Sequence, residues 1–242
     1  AHVISATLTV DTHDCIEPCT VNGTVSWTNT GGTISTATDL SISYNGNSIP
    51  VASAMIINPG ETLSYMFSIP DLIAGTYTIQ ASPNTGTAPQ VITVRTPANI
   101  VSTGISATPR VLPCVQSCTV DVSVTWTNNG GSEGSFIPSI NVDGTPISPP
   151  QYTSESLAPG ASITHTFVTD VLAVGSHQIC ADPNGTCATI NIYSGPSIAA
   201  TGITTDKTSC TSPCDVTIDV TWTNTGDVDG TFTPSINIDS LH

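Results

Sequence analysis

The chain has 242 residues, with three Lys or Arg against eighteen Asp or Glu, a formal net charge of −15 and only 9% charged residues. That balance excludes nucleic acid and anionic membrane surfaces as partners, because both need clustered Lys or Arg, whereas Arg95, Arg110 and Lys207 are scattered. Disorder is excluded too, since 38% hydrophobic residues with Val, Ile and Thr dominant is a folded, β-rich composition.

Along the chain, the first punctuation is Cys15-Ile16-Glu17-Pro18-Cys19. The same spacing returns at Cys114-Val115-Gln116-Ser117-Cys118 and Cys210-Thr211-Ser212-Pro213-Cys214, after 99 and then 96 residues. This period is close to the roughly 100 residues of an immunoglobulin-like sandwich. After each pair, apolar residues take alternate positions: Val21, Val25, Trp27; Val120, Val122, Val124, Trp126; Val216, Ile218, Val220, Trp222. That is the period of a half-buried strand with its Trp on the core face. The strands run into Thr28-Asn29-Thr30-Gly31, Thr127-Asn128-Asn129-Gly130 and Thr223-Asn224-Thr225-Gly226, expected turns in which Asn and Gly tolerate positive φ. New strands follow, among them Ser139 to Gly144 and Ser235 to Asp239.

The later half recurs in the first two repeats. Turns at Asn58-Pro59-Gly60 and Ala158-Pro159-Gly160 precede strands with Leu63, Tyr65, Phe67 and Ile69, or Ile163, His165 and Phe167, in alternation. Further strands open at Gly75 and Gly175, reach Ser82-Pro83-Asn84 and Asp182-Pro183-Asn184, and turn into last strands over Val91 to Val94 and Ala188 to Ile192. About seven short strands per repeat and no amphipathic helix predict an all-β fold of tandem immunoglobulin-like antiparallel β-sandwiches, two complete and one partial. The repeats span 1–97, 98–196 and 197–242. The third carries only the first half of the pattern, so its remaining strands are expected from further chain or a neighbouring subunit. The linkers around Thr96-Pro97-Ala98-Asn99 and Ser194-Gly195-Pro196-Ser197 are short and stiffened by Pro, which predicts a rod of modules.

The segments "VSVTWTNNGG…INVDG…LAPGASITHTFV…VGSHQICADPNG" between Val122 and Gly185 resemble the CARDB-type module, a cell-adhesion-related immunoglobulin-like domain of prokaryotic surface proteins. The likeness covers both full repeats and the first half of the third. It implies tandem sandwiches on secreted or surface-attached proteins, serving as spacers, stalks and adhesive or self-assembling units. The Cys-x-x-x-Cys pair before the Trp strand departs from the antibody-like pattern, so no inter-sheet disulfide is implied.

Each Cys-x-x-x-Cys pair reads as a local disulfide, Cys15–Cys19, Cys114–Cys118 and Cys210–Cys214, closing a loop of five residues. Such a bridge is worth about 2 kcal/mol in the chain-entropy picture. Zinc is the rival, as two thiolates are half a tetrahedral site, but His13 accompanies only the first pair. Cys180 and Cys187 bracket Asp182-Pro183-Asn184-Gly185 and read as a hairpin staple; Gln80 holds the matching place in the first repeat. Disulfides imply an oxidising, extracellular compartment. No apolar run reaches the roughly 20 residues of a membrane helix, so no direct membrane insertion is expected, and Ala1-His2-Val3 reads as a mature rather than a signal sequence.

Catalytic candidates are thin. His165 and His177 stand where the first repeat has Tyr65 and Tyr77, which favours packing over acid–base work, and no phosphate loop or nucleophile elbow occurs. Neither an enzyme nor a cofactor is expected. Calcium is the closest alternative, through Asp227-Val228-Asp229-Gly230 and Asp143-Gly144, yet the matching turns of the other repeats lack the carboxylate pair. Asn22-Gly23-Thr24 and Asn184-Gly185-Thr186 are N-glycosylation candidates, and outward Thr residues are candidates for O-linked sugar. The expected function is a non-enzymatic extracellular structural protein, a cell-surface stalk or filament bearing glycans, continuing into a longer array or self-associating. The alternatives are an adhesin or carbohydrate-binding module, and accessory repeats of a larger secreted enzyme.

Overall fold

The computed structural model describes residues 1–83, 85–183 and 185–238. It is all-β, without a helix among these residues. In chain order the strands are β1 (Ile4–Val10), β2 (Asp14–Ile16), β3 (Cys19–Asn29), β4 (Thr38–Tyr44), β5 (Asn47–Met55), β6 (Thr62–Leu72), β7 (Gly75–Ser82) and β8 (Gln90–Arg95). They continue with β9 (Ile100–Pro109), β10 (Ser117–Cys118), β11 (Val120–Asn128), β12 (Gly134–Phe136), β13 (Ser139–Val142), β14 (Thr145–Pro146) and β15 (Glu155–Leu157). The rest are β16 (Ser162–Val168), β17 (Leu172–Ala173), β18 (Gly175–Asp182), β19 (Cys187–Ile192), β20 (Ile198–Thr205) and β21 (Ile218–Asn224). Two compact units form: one holds Ala1–Asn99 with Asn128–Gly134 and Ser156–Ala161, the other Ile100–Thr127, Ser135–Glu155 and the described residues from Ser162 onward.

In the first unit, a sheet of order β1-β3-β6 faces one of order β2-β8-β7-β4-β5. Strand alternation directs one set of side chains into the space between them. Leu8, Val21, Val25, Trp27, Leu40, Ile42, Ile79 and Ile92 fill that core, and Trp27 is fully buried with its indole Nε1 donating to Pro83 O at 3.2 Å. In the second unit the matching sheets are β16-β11-β9 and β14-β13-β18-β19. There Trp126 is fully buried and packs against Phe136 and Phe167, with ring centroids 5.7 and 6.0 Å away.

The asparagine two positions after each Trp does other work than the sequence suggests. Neither Asn29, Asn128 nor Asn224, nor the glycine two places on, adopts positive φ. Asn29 is fully buried; its Oδ1 accepts from Val3 N at 3.3 Å and Gly31 N at 3.0 Å, and its Nδ2 donates to Thr33 O and Ile57 O at 2.8 and 2.9 Å. Asn128 repeats all four bonds, with Asn99 N, Gly130 N, Ser132 O and Leu157 O. The partnering glycines are selected by space. A Cβ on Gly31 would sit 2.4 Å from Ala1 O, one on Gly130 2.1 Å from Pro97 O, and one on Gly226 2.0 Å from Gly195 O. Each glycine therefore lets the segment leading into its repeat lie flat on the turn. Positive φ is found instead in the hairpin and Pro-Gly turns, at Asn45, Asp143, Gly60 and Gly160.

The third repeat departs from expectation. β20 and β21 pair with each other, and β21 takes no second partner among the described residues. The strand expected over Ser235–Asp239 does not form: Ser235–Ile238 lie outside any strand, and Asp239 falls outside the described residues. The equivalent strands β4 and β13 are held in their ladders by β7 and β18. No counterpart of those strands is described here, so the backbone has no ladder to join.

Candidate functional site

Two surfaces are set apart by their chemistry. The first is the outward face of the β1-β3-β6 sheet. Pleating places Ser5, Thr7 and Thr9 of β1, Thr24, Ser26 and Thr28 of β3, and Thr62, Ser64 and Ser68 of β6 away from the core. Cross-strand register then aligns hydroxyls in rungs: Ser26 Oγ lies 2.7 Å from Ser64 Oγ and Thr28 Oγ1 2.8 Å from Thr62 Oγ1. The second repeat has the same pattern, with Thr125 and Thr164 hydroxyls 2.8 Å apart and Thr127 and Ser162 also 2.8 Å apart. Thr201 and Thr223 bond between β20 and β21 as Thr103 and Thr127 do between β9 and β11. The β1, β3 and β6 strands place no charged side chain on this face between Thr7 and Ser68; the exposed Met66 is the sole large apolar group there.

The sequon residue Asn22 lies at the end of this face and is exposed, as its alternation with Val21 predicts. Its backbone N and its Nδ2 each donate to Asp11 at 3.0 Å. These bonds hold the Asp11 carboxyl below its ordinary range, the side-chain bond being the larger cause. Gly23 beside it has no room for a side chain, because a Cβ would meet the Phe67 ring at 2.4 Å. Asn184, the other sequon residue, lies outside the described residues, as does His242.

The second surface is the core side of β20 and β21. Trp222, the counterpart of Trp27 and Trp126, is only half-buried and has Phe232 4.9 Å away. A cleft of 520 Å³ is lined by Ala200, Ile203, Val220, Trp222 and Ile236, and Ile203, Phe232, Ile236 and Ile238 are exposed. Asn224 shows the same incompleteness at one residue: it keeps bonds to Ser197 N, Gly226 N and Val228 O, with no equivalent of the Ile57 and Leu157 carbonyls among the described residues.

The cysteines are joined as the spacing predicts: Cys15–Cys19, Cys114–Cys118, Cys180–Cys187 and Cys210–Cys214. Cys180 and Cys187 are direct partners in the β18–β19 register. Four disulfides fit an oxidising environment, and no helix is long and apolar enough to cross a membrane.

Two of the candidate calcium carboxylates, Asp143 and Asp227, are engaged within the chain. Asp143 accepts from Gln178 N at 2.8 Å and faces His177 Nδ1 at 2.7 Å. Asp227 Oδ2 accepts from Ser194 N and Ser194 Oγ at 2.8 and 2.6 Å, which lowers its pKa and pins the second linker to the third repeat's turn. Among the described residues no cluster of three or more His, Cys, Asp or Glu is placed to hold a metal ion.

The histidines sit where the tyrosines suggest. His177 Nε2 lies 2.9 Å from Ala173 O, as Tyr77 OH donates to Ile73 O at 3.0 Å. The His177 pKa is raised above 6.5, chiefly by its bond to Asp143 and then by the Ala173 carbonyl. His165 packs 4.2 Å from the Tyr152 ring and lies 3.2 Å from Glu155 Oε2.

All three cationic side chains face an aspartate: Arg95 with Asp14, Arg110 with Asp121, and Lys207 with Asp206 at 3.8 Å. No protein-family model and no curated protein matches the chain.

Proposed function

We propose that this is a non-enzymatic extracellular structural protein, whose tandem immunoglobulin-like repeats build a cell-surface stalk or filament bearing covalent glycan. The observation that carries the reading is recurrence in place. The disulfide loop, the Trp strand and the asparagine with its glycine return at the same relative positions in three successive repeats, and the threonine after each Trp, Thr28, Thr127 or Thr223, makes an outward hydroxyl rung with a neighbouring strand. What recurs is scaffold, with its polar groups spent on backbone and neighbouring strands. A repeated unit with a short, strapped linker suits an elongated array, in which stability comes from units and their neighbours. The resemblance to CARDB-type modules of prokaryotic surface proteins supports the same reading.

The half-buried Trp222 face gives this proposal its assembly step. The face is lined by residues that in the first two repeats are covered by a second sheet, so it is completed by strands of a further repeat half, continuing the array or supplied by a neighbouring subunit. Electron microscopy of native material tests the reading. Regular filaments or stalks with an axial repeat of whole modules are expected. Isolated particles at every concentration, in material never truncated or unfolded, overturn it.

A further inference from the structure

We infer that the outward sheet faces of the repeats are the acceptor surface for O-linked sugar, with Thr7, Thr24, Ser68, Thr166 and Thr221 as the sites. The inference rests on the reading of the chain as an extracellular, glycan-bearing structural protein and says which atoms carry the glycan. These five residues are exposed and lie on the faces turned away from the core. Their hydroxyls make no hydrogen bond among the described residues, whereas those of Ser26, Thr28, Thr62, Ser64, Thr125, Thr127, Ser162 and Thr164 are held in cross-strand rungs.

Charge makes the case for covering the β1-β3-β6 face. Exposed sheets stay monomeric through charged residues, prolines or bulges along their faces and edges. The chain has 18 acidic residues, yet none of them projects from the middle of the β1-β3-β6 face, where β1 and β6 are both sheet edges. A neutral array of methyl and hydroxyl groups on a two-edged sheet is an association hazard when bare. A layer of hydrated sugar shields both face and edges without a charge.

Sterics select the sites. Directly opposed residues in an antiparallel pair are about 5 Å apart, so two hydroxyls already bonded in a rung have no room for two sugars. Thr24 lies between Met66 and Thr9, Thr7 lies opposite Ser26, and Ser68 lies opposite the sequon residue Asn22, so that last pair takes one sugar, on either residue. Thr166 lies opposite the half-buried Ser123, so that pair takes one sugar, on the more exposed Thr166. In the transfer, the side-chain hydroxyl oxygen attacks the anomeric carbon of a nucleotide- or lipid-phosphate-linked sugar. The new C–O bond forms as the anomeric carbon–phosphate oxygen bond breaks. The phosphate leaves with the electron pair, and the hydroxyl proton passes to the transferase base.

The test is tandem mass spectrometry on peptides of the native protein, with fragmentation that retains glycan, before and after mild alkaline β-elimination. The expected result is a mass increase of whole sugar residues on peptides containing the five sites. The increase is removed by alkali and absent from the rung hydroxyls of the same peptides. Alkali sensitivity separates sugar on Thr24 from sugar on Asn22. Bare peptides at all five sites, or O-linked sugar confined to loops and linkers such as Thr85 and Thr96, overturn the inference. Microscopy reads the assembly separately: filaments with bare peptides refute the acceptor surface and leave the structural role standing, and sugar without filaments does the reverse.

Discussion

At the residue scale, Asn128 ties together three stretches of chain with four hydrogen bonds from a fully buried side chain. Removing a partner inside a protein strands the groups it satisfied, at about 1–3 kcal/mol for each buried group. Asn128→Ala is therefore expected to destabilise the chain by about 3 kcal/mol in chemical denaturation. Asn224→Ala, at an exposed position with three bonds, should cost under about 1 kcal/mol, because water replaces the lost partners. Equal effects would show that the buried bonds contribute nothing beyond local turn geometry. The neighbouring glycines offer an independent check. Gly130→Ala drives a methyl group to within 2.1 Å of the Pro97 carbonyl oxygen, a backbone atom with no freedom to move aside, whereas Gly32→Ala meets nothing within 4 Å. The first should lower the melting temperature by several degrees for each kcal/mol lost, and the second should leave it unchanged.

At the scale of elements, the β13–β14 turn is fastened to β18 by Asp143, and the fastening titrates. Because the His177 pKa is raised in the fold, its contribution is fully present below the ordinary 6.5 and is lost as pH rises through the folded value. The Asp143 pKa is lowered, first by the Gln178 backbone N and then by His177, so its contribution holds above the ordinary 3.8 and is lost as pH falls through the folded value. The pair stabilises most between these limits. Thermal melts should show the wild type losing stability as pH rises above 6.5 relative to His177→Tyr, the residue found in the first repeat, whose hydroxyl can donate to the 173 carbonyl without titrating in that range. Parallel pH profiles would remove His177 from the account. Disulfides act more weakly than the cores: reducing all four should lower stability in chemical denaturation, by about 2 kcal/mol for each of the three five-residue loops and slightly more for the longer Cys180–Cys187 loop, while the far-ultraviolet β signature persists at room temperature. Period-two alternation made the Trp strands and the second-half strands legible, because burial of one face is a property of every second residue. The asparagine bonds were not legible, since an Asn-x-Gly triplet fits a positive-φ turn equally well and its partners lie up to 29 residues away. The 235–239 strand was misread for a related reason: its sequence matches Ser139 to Asp143, but a strand exists only through its neighbours, and β18's counterpart is not among the described residues.

At the scale of the whole molecule, the three tryptophans divide into two classes that report on assembly. Trp27 and Trp126 have no solvent-accessible surface, whereas Trp222 borders the open cleft beside Ile203 and Ile236. Completing the third repeat with a second sheet would bury Trp222 as its counterparts are buried, and apolar burial of such a face is worth about 25 cal/mol for each Å² removed from water. In the isolated chain, acrylamide should quench a fraction of the fluorescence that disappears in Trp222→Phe. In the native assembly that fraction should fall toward zero and the emission should shift to shorter wavelength. Trp222→Asp is expected to leave the first two repeats folded, as Trp27 and Trp126 remain buried, but to abolish assembly by placing a charge where the covering sheet would pack. Native material whose Trp222 stays as quenchable as that of the isolated chain would mean that the face is never covered, and the proposed assembly step through it would fail.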